Sequence, residues 1–182
     1  MTDDQRFAAR RSDVLVFQTD SLLEDVTLAG PLIADLMVSI STTDADFIVK
    51  LIDVFPDNFE YPKTASMSSS RTIAPSAPYI MNGYQMLVRG EVMRGKYRNS
   101  FERPEPFVPN KKTEVKYTLP DIAHTFKKGH RIMVQVQSSW FPLVDRNPQT
   151  FENIYKAKDE DFRKATIRIY ENESKLILPL VK

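Results

Sequence analysis

The stretch His124–Pro148, HTFKKGHRIMVQVQSSWFPLVDRNP, decides how the rest of the chain is read. It opens on a Lys-Lys-Gly turn, where Gly129 suits positive φ because it has no Cβ to clash. From Arg131 to Ser138, Ile132, Val134 and Val136 alternate with Arg131, Met133, Gln135 and Gln137. A side-chain period of two sends the two sets to opposite faces of a strand, one into a core and one toward water or a neighbour. After Ser138 the pattern breaks into an irregular segment crowded with Trp140, Phe141, Pro142, Asp145, Arg146, Asn147 and Pro148.

Working outward, the same alternation recurs in short runs. Val14–Thr19 and Val26–Ala29 read as strands, the second punctuated by Gly30-Pro31. Leu32–Ser41 alternates around Leu32, Ala34, Leu36, Val38 and Ile40. Asp44–Phe55 is apolar on both faces, which predicts a strand covered on both sides, with helix as the rival reading. Tyr84–Tyr97 places Tyr84, Met86, Val88 and Val92 on one face, and Gly90 marks a candidate bulge. Glu114–Leu119 predicts a further strand, followed by a short helical turn over Asp121–Phe126. Residues 154–163 allow a turn or two of helix, and Thr166–Tyr170 and Lys175–Val181 close the chain as strands. About nine short strands without a long amphipathic helix predict an all-β, antiparallel β-sandwich. Residues 57–80, rich in proline and serine, form the longest interruption, a length usual for functional or mobile loops.

Composition narrows the function. A chain of 182 residues fits one domain, able to bury roughly 70% of its unfolded surface. With 42% hydrophobic and 27% charged residues it is an ordinary globular sequence. The balance of 25 basic against 24 acidic residues argues against nucleic acid, which asks for a concentrated basic face. No apolar run approaches the roughly 20 residues of a membrane-spanning helix. There is no cysteine, so disulfides, thiolate nucleophiles and Cys-bound zinc are excluded. The polar start MTDDQRFAARRSD lacks the apolar core of a signal peptide.

Catalytic signatures are missing. None of Gly30, Gly83, Gly90, Gly95 and Gly129 frames a G-x-S-x-G elbow, a phosphate-binding loop or a dinucleotide fingerprint. His124 and His130 flank a turn at a spacing of six, which matches neither H-E-x-x-H nor a zinc finger. They read as structural groups, although sequence alone leaves a pairing of His130 with Ser138 or Ser139 open. Asp44, Asp46 and Asp53 could form a calcium cluster, but the glycine and glutamate of an EF-hand are absent, and a hydrogen-bonded turn is the plainer reading. Arg89, Arg94, Lys96, Arg98 and Arg103 form the most basic neighbourhood, read as a solvated face paired with Glu91, Glu102 and Glu105 rather than as an anion site. No cofactor and no metal is expected. Asn172-Glu173-Ser174 is a glycosylation sequon by pattern alone.

Three long runs carry a resemblance: DDQRFAARRSDVLVFQT (Asp3–Thr19), MNGYQMLVRGEVMRGKYRNSFERPEPF (Met81–Phe107) and AHTFKKGHRIMVQVQSSWFPLVDRNPQTF (Ala123–Phe151). In these the chain resembles the C-terminal domain of the X-Pro dipeptidyl-peptidase/cocaine esterase class of serine hydrolases. It is most similar to the branch with α-amino acid ester hydrolases and glutaryl-7-aminocephalosporanic acid acylases. The resemblance implies a β jelly roll of the galactose-binding type, with residues 1–13 as a strap from a catalytic α/β-hydrolase domain and 14–182 as the sandwich. It also implies that Met1 marks the start of a truncated reading frame, with any periplasmic or secretory signal upstream. The catalytic serine, histidine and aspartate of that class lie in its other domain, so no catalytic residue is carried over here.

The expected function is therefore an accessory, non-catalytic domain that supports the catalytic domain and its substrate cleft. The parent would act on esters, amides or peptides, with α-amino acid esters and β-lactam side chains as candidates. The candidate cleft or interface residues are Trp140, Phe141, Asp145, Arg146, Asn147 and Tyr84, because aromatic residues and arginine are enriched at interface centres. Under a blander reading the aromatics finish the core and Asp145–Arg146 is a local ion pair. Partners are the catalytic domain and a small ester, amide or peptide substrate, with neither nucleic acid nor membrane. A domain parted from its partner should expose apolar surface and self-associate, so a homo-oligomer is also entertained. The alternative is a carbohydrate- or ligand-binding sandwich in which exposed Trp140 or Tyr84 stacks on a ring.

Overall fold

The computed structural model describes residues 2–59 and 81–181. Among these residues eight strands form two antiparallel sheets. They are β1 (Val14–Gln18), β2 (Val26–Ile40), β3 (Asp46–Val54), β4 (Gln85–Arg94), β5 (Thr113–Phe126), β6 (Arg131–Gln137), β7 (Ile167–Ile169) and β8 (Lys175–Ile177). One sheet runs β1-β6-β3-β4; in the other β5 pairs β2, which pairs β7 and β8 along its far edge. Most consecutive strands alternate between the sheets, giving the jelly-roll pattern. Only the β3–β4 and β7–β8 steps stay within a sheet.

The core lies between the two sheets, and its pattern was visible in the alternation. Leu32, Ala34, Leu36 and Val38 of β2 meet Phe47, Val49 and Leu51 of β3, joined by Val115 and Leu119 of β5 and Val136 of β6. Burial on both sides of β3 also matches its sequence: Ile48, Lys50 and Ile52, which face away from the core, are nearly inaccessible. Over Lys50 the cover comes from Gln5, in the segment preceding β1, and from Trp140. That segment turns once in a short helix, α1 (Arg6–Ala9), and the Gln5 N–H donates to Gln85 O at 2.9 Å.

Several expectations are corrected. Gly30-Pro31 does not end a strand: β2 is continuous for 15 residues, with a register shift between Gly30 and Leu32. Pro31 falls in that irregularity together with Pro120 and Asp121 of β5. A proline cannot donate to a ladder, so two of them are tolerated where pairing is already interrupted. Gly30 takes φ +124, which a Cβ would disfavour. The predicted helical turn at Asp121–Phe126 is instead the second half of β5, with Ile122–Phe126 paired to Val26–Gly30. In β4 the bulge falls at Val88, two residues before Gly90. The slip puts Met93 opposite Phe47 in the core and Val92 opposite Ile48 on the outer face, so the expected single face of Tyr84, Met86, Val88 and Val92 is broken. Strand Lys175–Val181 shortens to Lys175–Ile177, with an isolated bridge at Leu180. Of the long interruption at 57–80, residues 60–80 lie outside the described residues.

Candidate functional site

Trp140 follows β6 immediately and sets the geometry of the irregular segment. Its ring lies over the outer face of the first sheet, against Gly90, with the Lys50 ammonium 4.6 Å from the ring centroid. Only glycine at position 90 leaves room for that ring. Lys50 is 1% exposed and donates to Gln5 Oε1 at 2.9 Å. Burial, with a smaller contribution from the Arg11 charge, brings its pKa down to about 8.

Asn147 fixes the other end of the segment. Its amide donates to Asp44 Oδ2 at 3.1 Å and to Asp46 Oδ1 at 2.8 Å, so one buried side chain spans both carboxylates. Arg94 completes Asp46 with Nε at 3.1 Å, and Lys96 stands 3.8 Å from Asp44. Burial pushes both carboxyl groups above the usual range, against the pull of Asn147 and the two cations. These aspartates therefore hold a loop, and Asp53 sits at the far end of β3, away from them. Among the described residues no cluster suited to a metal ion is present. The basic neighbourhood is corrected in part: Arg98 does pair with Glu105, at 3.9 Å, and Arg103 is exposed. Arg94, Lys96 and Arg98 are largely buried, serving Asp46, Asp44 and backbone carbonyls rather than a solvated face, and Arg98 also lies 4.2 Å over the Phe107 ring.

Asp53 pairs with both histidines. Its Oδ2 lies 2.9 Å from His124 Nε2 and its Oδ1 2.8 Å from His130 Nδ1, which ties β3 to β5 of the opposite sheet and to the start of β6. His130 packs 4.5 Å from the Phe55 ring centroid. Ser138 is at the other end of β6, roughly 26 Å along an extended strand. Among the described residues no hydroxyl hydrogen-bonds either imidazole, so the pairing of His130 with Ser138 or Ser139 is not formed.

The six expected site residues divide. Trp140 is buried at 6%, and Tyr84 is buried with its hydroxyl on Asp3 and its ring edge-on to Phe55. Neither can stack on a sugar, which removes the expected basis for a carbohydrate site. The Asp145–Arg146 ion pair is not formed either: the Asp145 carbonyl accepts from Arg94, and the Arg146 guanidinium lies 5.8 Å from the Phe162 ring centroid. Phe141 is the presented group, 56% exposed beside exposed Leu143.

Between this loop, β1 and the segment leading to β7 lies an open cleft of about 1040 Å³. Phe141, Arg146 and Asn147 line it together with Arg163, Lys164 and Phe162, a wall that the sequence did not reveal. The pointer in the sequence is the Arg163-Lys164 pair at the end of the segment 154–163, which allows a turn or two of helix. An apolar trough of about 260 Å³ adjoins it along Phe17, Val134, Val136 and Ile169.

Comparison with known proteins settles the family. The model of the X-Pro dipeptidyl-peptidase C-terminal non-catalytic domain matches residues 3–176. The chain belongs to this family. Within the X-Pro dipeptidyl-peptidase C-terminal family, it is 35% identical over 182 residues to the cocaine esterase of Rhodococcus sp. (strain MB1 Bresler), covering 98% of this chain and 27% of that protein. The fold superposes on an aminopeptidase from a marine sediment Thaumarchaeota archaeon with a TM-score of 0.85 and 44% identity, covering 100% of this chain and 28% of the other. It superposes equally on an α-amino acid ester hydrolase, with a TM-score of 0.85, 43% identity and coverage of 99% and 27%. The chain thus spans little more than a quarter of these relatives, and it corresponds to the non-catalytic C-terminal domain of serine hydrolases of this kind.

Proposed function

We propose that this domain buttresses an α/β-hydrolase catalytic domain of the same polypeptide, with the loop 139–148 turned toward that domain and its substrate cleft. The observation that carries the reading is the contrast within this loop. Trp140 and Asn147 are buried and locked at its two ends, while Phe141 between them is 56% exposed. An aromatic group held out on a fixed base loses little conformational entropy on docking, the property of an interface anchor. Residues 1–13, whose Gln5 covers Lys50 on the outer face of the first sheet, serve as the strap leading in from the catalytic domain, with 14–182 as the sandwich domain. The parent enzyme hydrolyses ester, amide or peptide bonds through a serine, histidine and aspartate outside these residues, and an α-amino acyl ester is the first substrate to try.

The test compares the isolated chain with a protein in which it is joined to the hydrolase domain. The isolated chain should not turn over a chromogenic ester. In the joined protein, Phe141→Ala and Arg146→Ala should loosen domain association and lower turnover about tenfold or more without unfolding the sandwich. Robust turnover by the chain alone, or full activity in both variants, sinks the reading.

A further inference from the structure

The segment ahead of β1 is held down by hydrogen bonds, with little apolar surface beneath it. Gln5 N–H donates to Gln85 O at 2.9 Å, Arg6 Nη1 to Asn82 O at 3.2 Å, and the Tyr84 hydroxyl to Asp3. Among its described side chains Ala8 is the one buried apolar group, whereas Phe7 is 51% exposed. A segment with so few buried apolar contacts opens at a fraction of the cost of unfolding the sandwich.

The seat beneath it is short of partners. Among the described residues the Lys50 ammonium has one hydrogen bond, to Gln5 Oε1, besides the face of Trp140. Gln135 reaches Gln5 O with its amide at 3.5 Å, but its Oε1 is buried without a donor. Trp140 Nε1 and Gln85 Oε1 are buried without partners as well. Water would serve all of these atoms, and a dry ammonium gains most from it.

We propose that residues 3–11 are a latch over Lys50, which closes on the neutral amine and opens when the amine takes up a proton. Opening returns the ammonium to water, so the open form binds the proton more tightly. Closure is therefore favoured above about 10.5, and that preference is lost as pH falls to about 8, the folded value. Arg11 is the charge that acts on Lys50, and Asp13 pairs with Arg11. Asp4 is held by Arg6, and Asp46, on the same face of β3, by Arg94 and Asn147. Arg89 and Glu91 flank Gly90 but stand opposite Leu51 and Val49, on the core side of the sheet. From β6, Gln135 lies opposite Lys50 and brings no charge. The latch goes beyond the buttressing role and is complete within the chain.

Limited trypsin digestion of the 182-residue chain at pH 7 and pH 9.5 reads the opening. The rate of cleavage after Arg10 and Arg11 is divided by that of a peptide of residues 1–14 at the same pH. The normalised rate should be about twentyfold higher at pH 7. Cleavage after Arg131, inside β6, should be far slower at both pH values. Lys50→Met should remove the pH difference. Gln5→Ala, which lies outside the sandwich and leaves its folding intact, should speed cleavage about fivefold at both pH values. Equal normalised rates at the two pH values, cleavage after Arg131 in step with Arg11, a pH difference that survives Lys50→Met, or an unaffected Gln5→Ala would each overturn the proposal.

Discussion

Trp140 occupies the space a side chain at position 90 would need: a Cβ on Gly90 would stand 2.6 Å from Trp140 Cη2. This contact joins the loop after β6 to the outer face of β4, two strands away. Gly90→Ala should therefore destabilise the domain by about 1–3 kcal/mol through overpacking. Trp140→Phe should cost about as much alone but less in the Gly90→Ala background. Urea denaturation of the four proteins in a double-mutant cycle checks the coupling, and strict additivity would exclude the contact.

Lys50 gives a pH signature. Its pKa is about 8 in the folded chain against 10.5 for an ordinary lysine. Between these values the unfolded state binds the extra proton, so stability should rise as pH increases from about 8 to 10.5, and the charged form costs stability below that window. The full effect is about 3 kcal/mol. Lys50→Met should raise stability at pH 7 and flatten this part of the profile. Denaturant midpoints of both proteins at pH 7 and 10 measure it; a parallel pair of curves would show that Lys50 is not desolvated.

Asn147 holds two carboxylates whose folded pKa values are raised by burial. A raised carboxyl pKa contributes stability that is present at low pH and is lost as pH climbs through the folded value. Asn147→Leu, which removes the amide from both aspartates, should cost about 2–4 kcal/mol at pH 8 and less at pH 5. Chemical denaturation at the two pH values is the check, and a pH-independent loss would mean the amide acts only by packing.

Asp53 is the common acceptor for His124 and His130. In Asp53→Asn one of the two oxygens becomes a donor, so one imidazole must change tautomer or lose its partner, at about 1–3 kcal/mol. Nitrogen NMR of the histidine rings should show the tautomer change in one ring only. Two unchanged rings would mean that the carboxylate does not hold both.

The sandwich was legible because alternation is a local property. Leu32 to Ile40 and Ile132 to Val136 announce which face is buried, whatever they pack against. The two-sided apolar run of β3 likewise identified the most enclosed strand, although Lys50 in its midst gave no sign of its cover. Continuity of strands was harder to read. Gly30-Pro31 and Pro120 look like stops in isolation, and only their shared place in a single irregularity lets β2 and β5 run through.

The sequence by itself determined an antiparallel β-sandwich, the absence of a serine elbow and the segment around Trp140 as the place to look. Tertiary structure alone decided that Trp140 and Tyr84 turn inward while Phe141 turns out, and that Asp53 gathers two histidines from different strands. It also decided that Arg163 and Lys164 share a wall with Arg146. Periodicity reports the face of a strand, because that depends on neighbours along the chain. A loop's side chains take their direction from distant partners such as Gly90, Asp44 and Asp46, which no local pattern encodes.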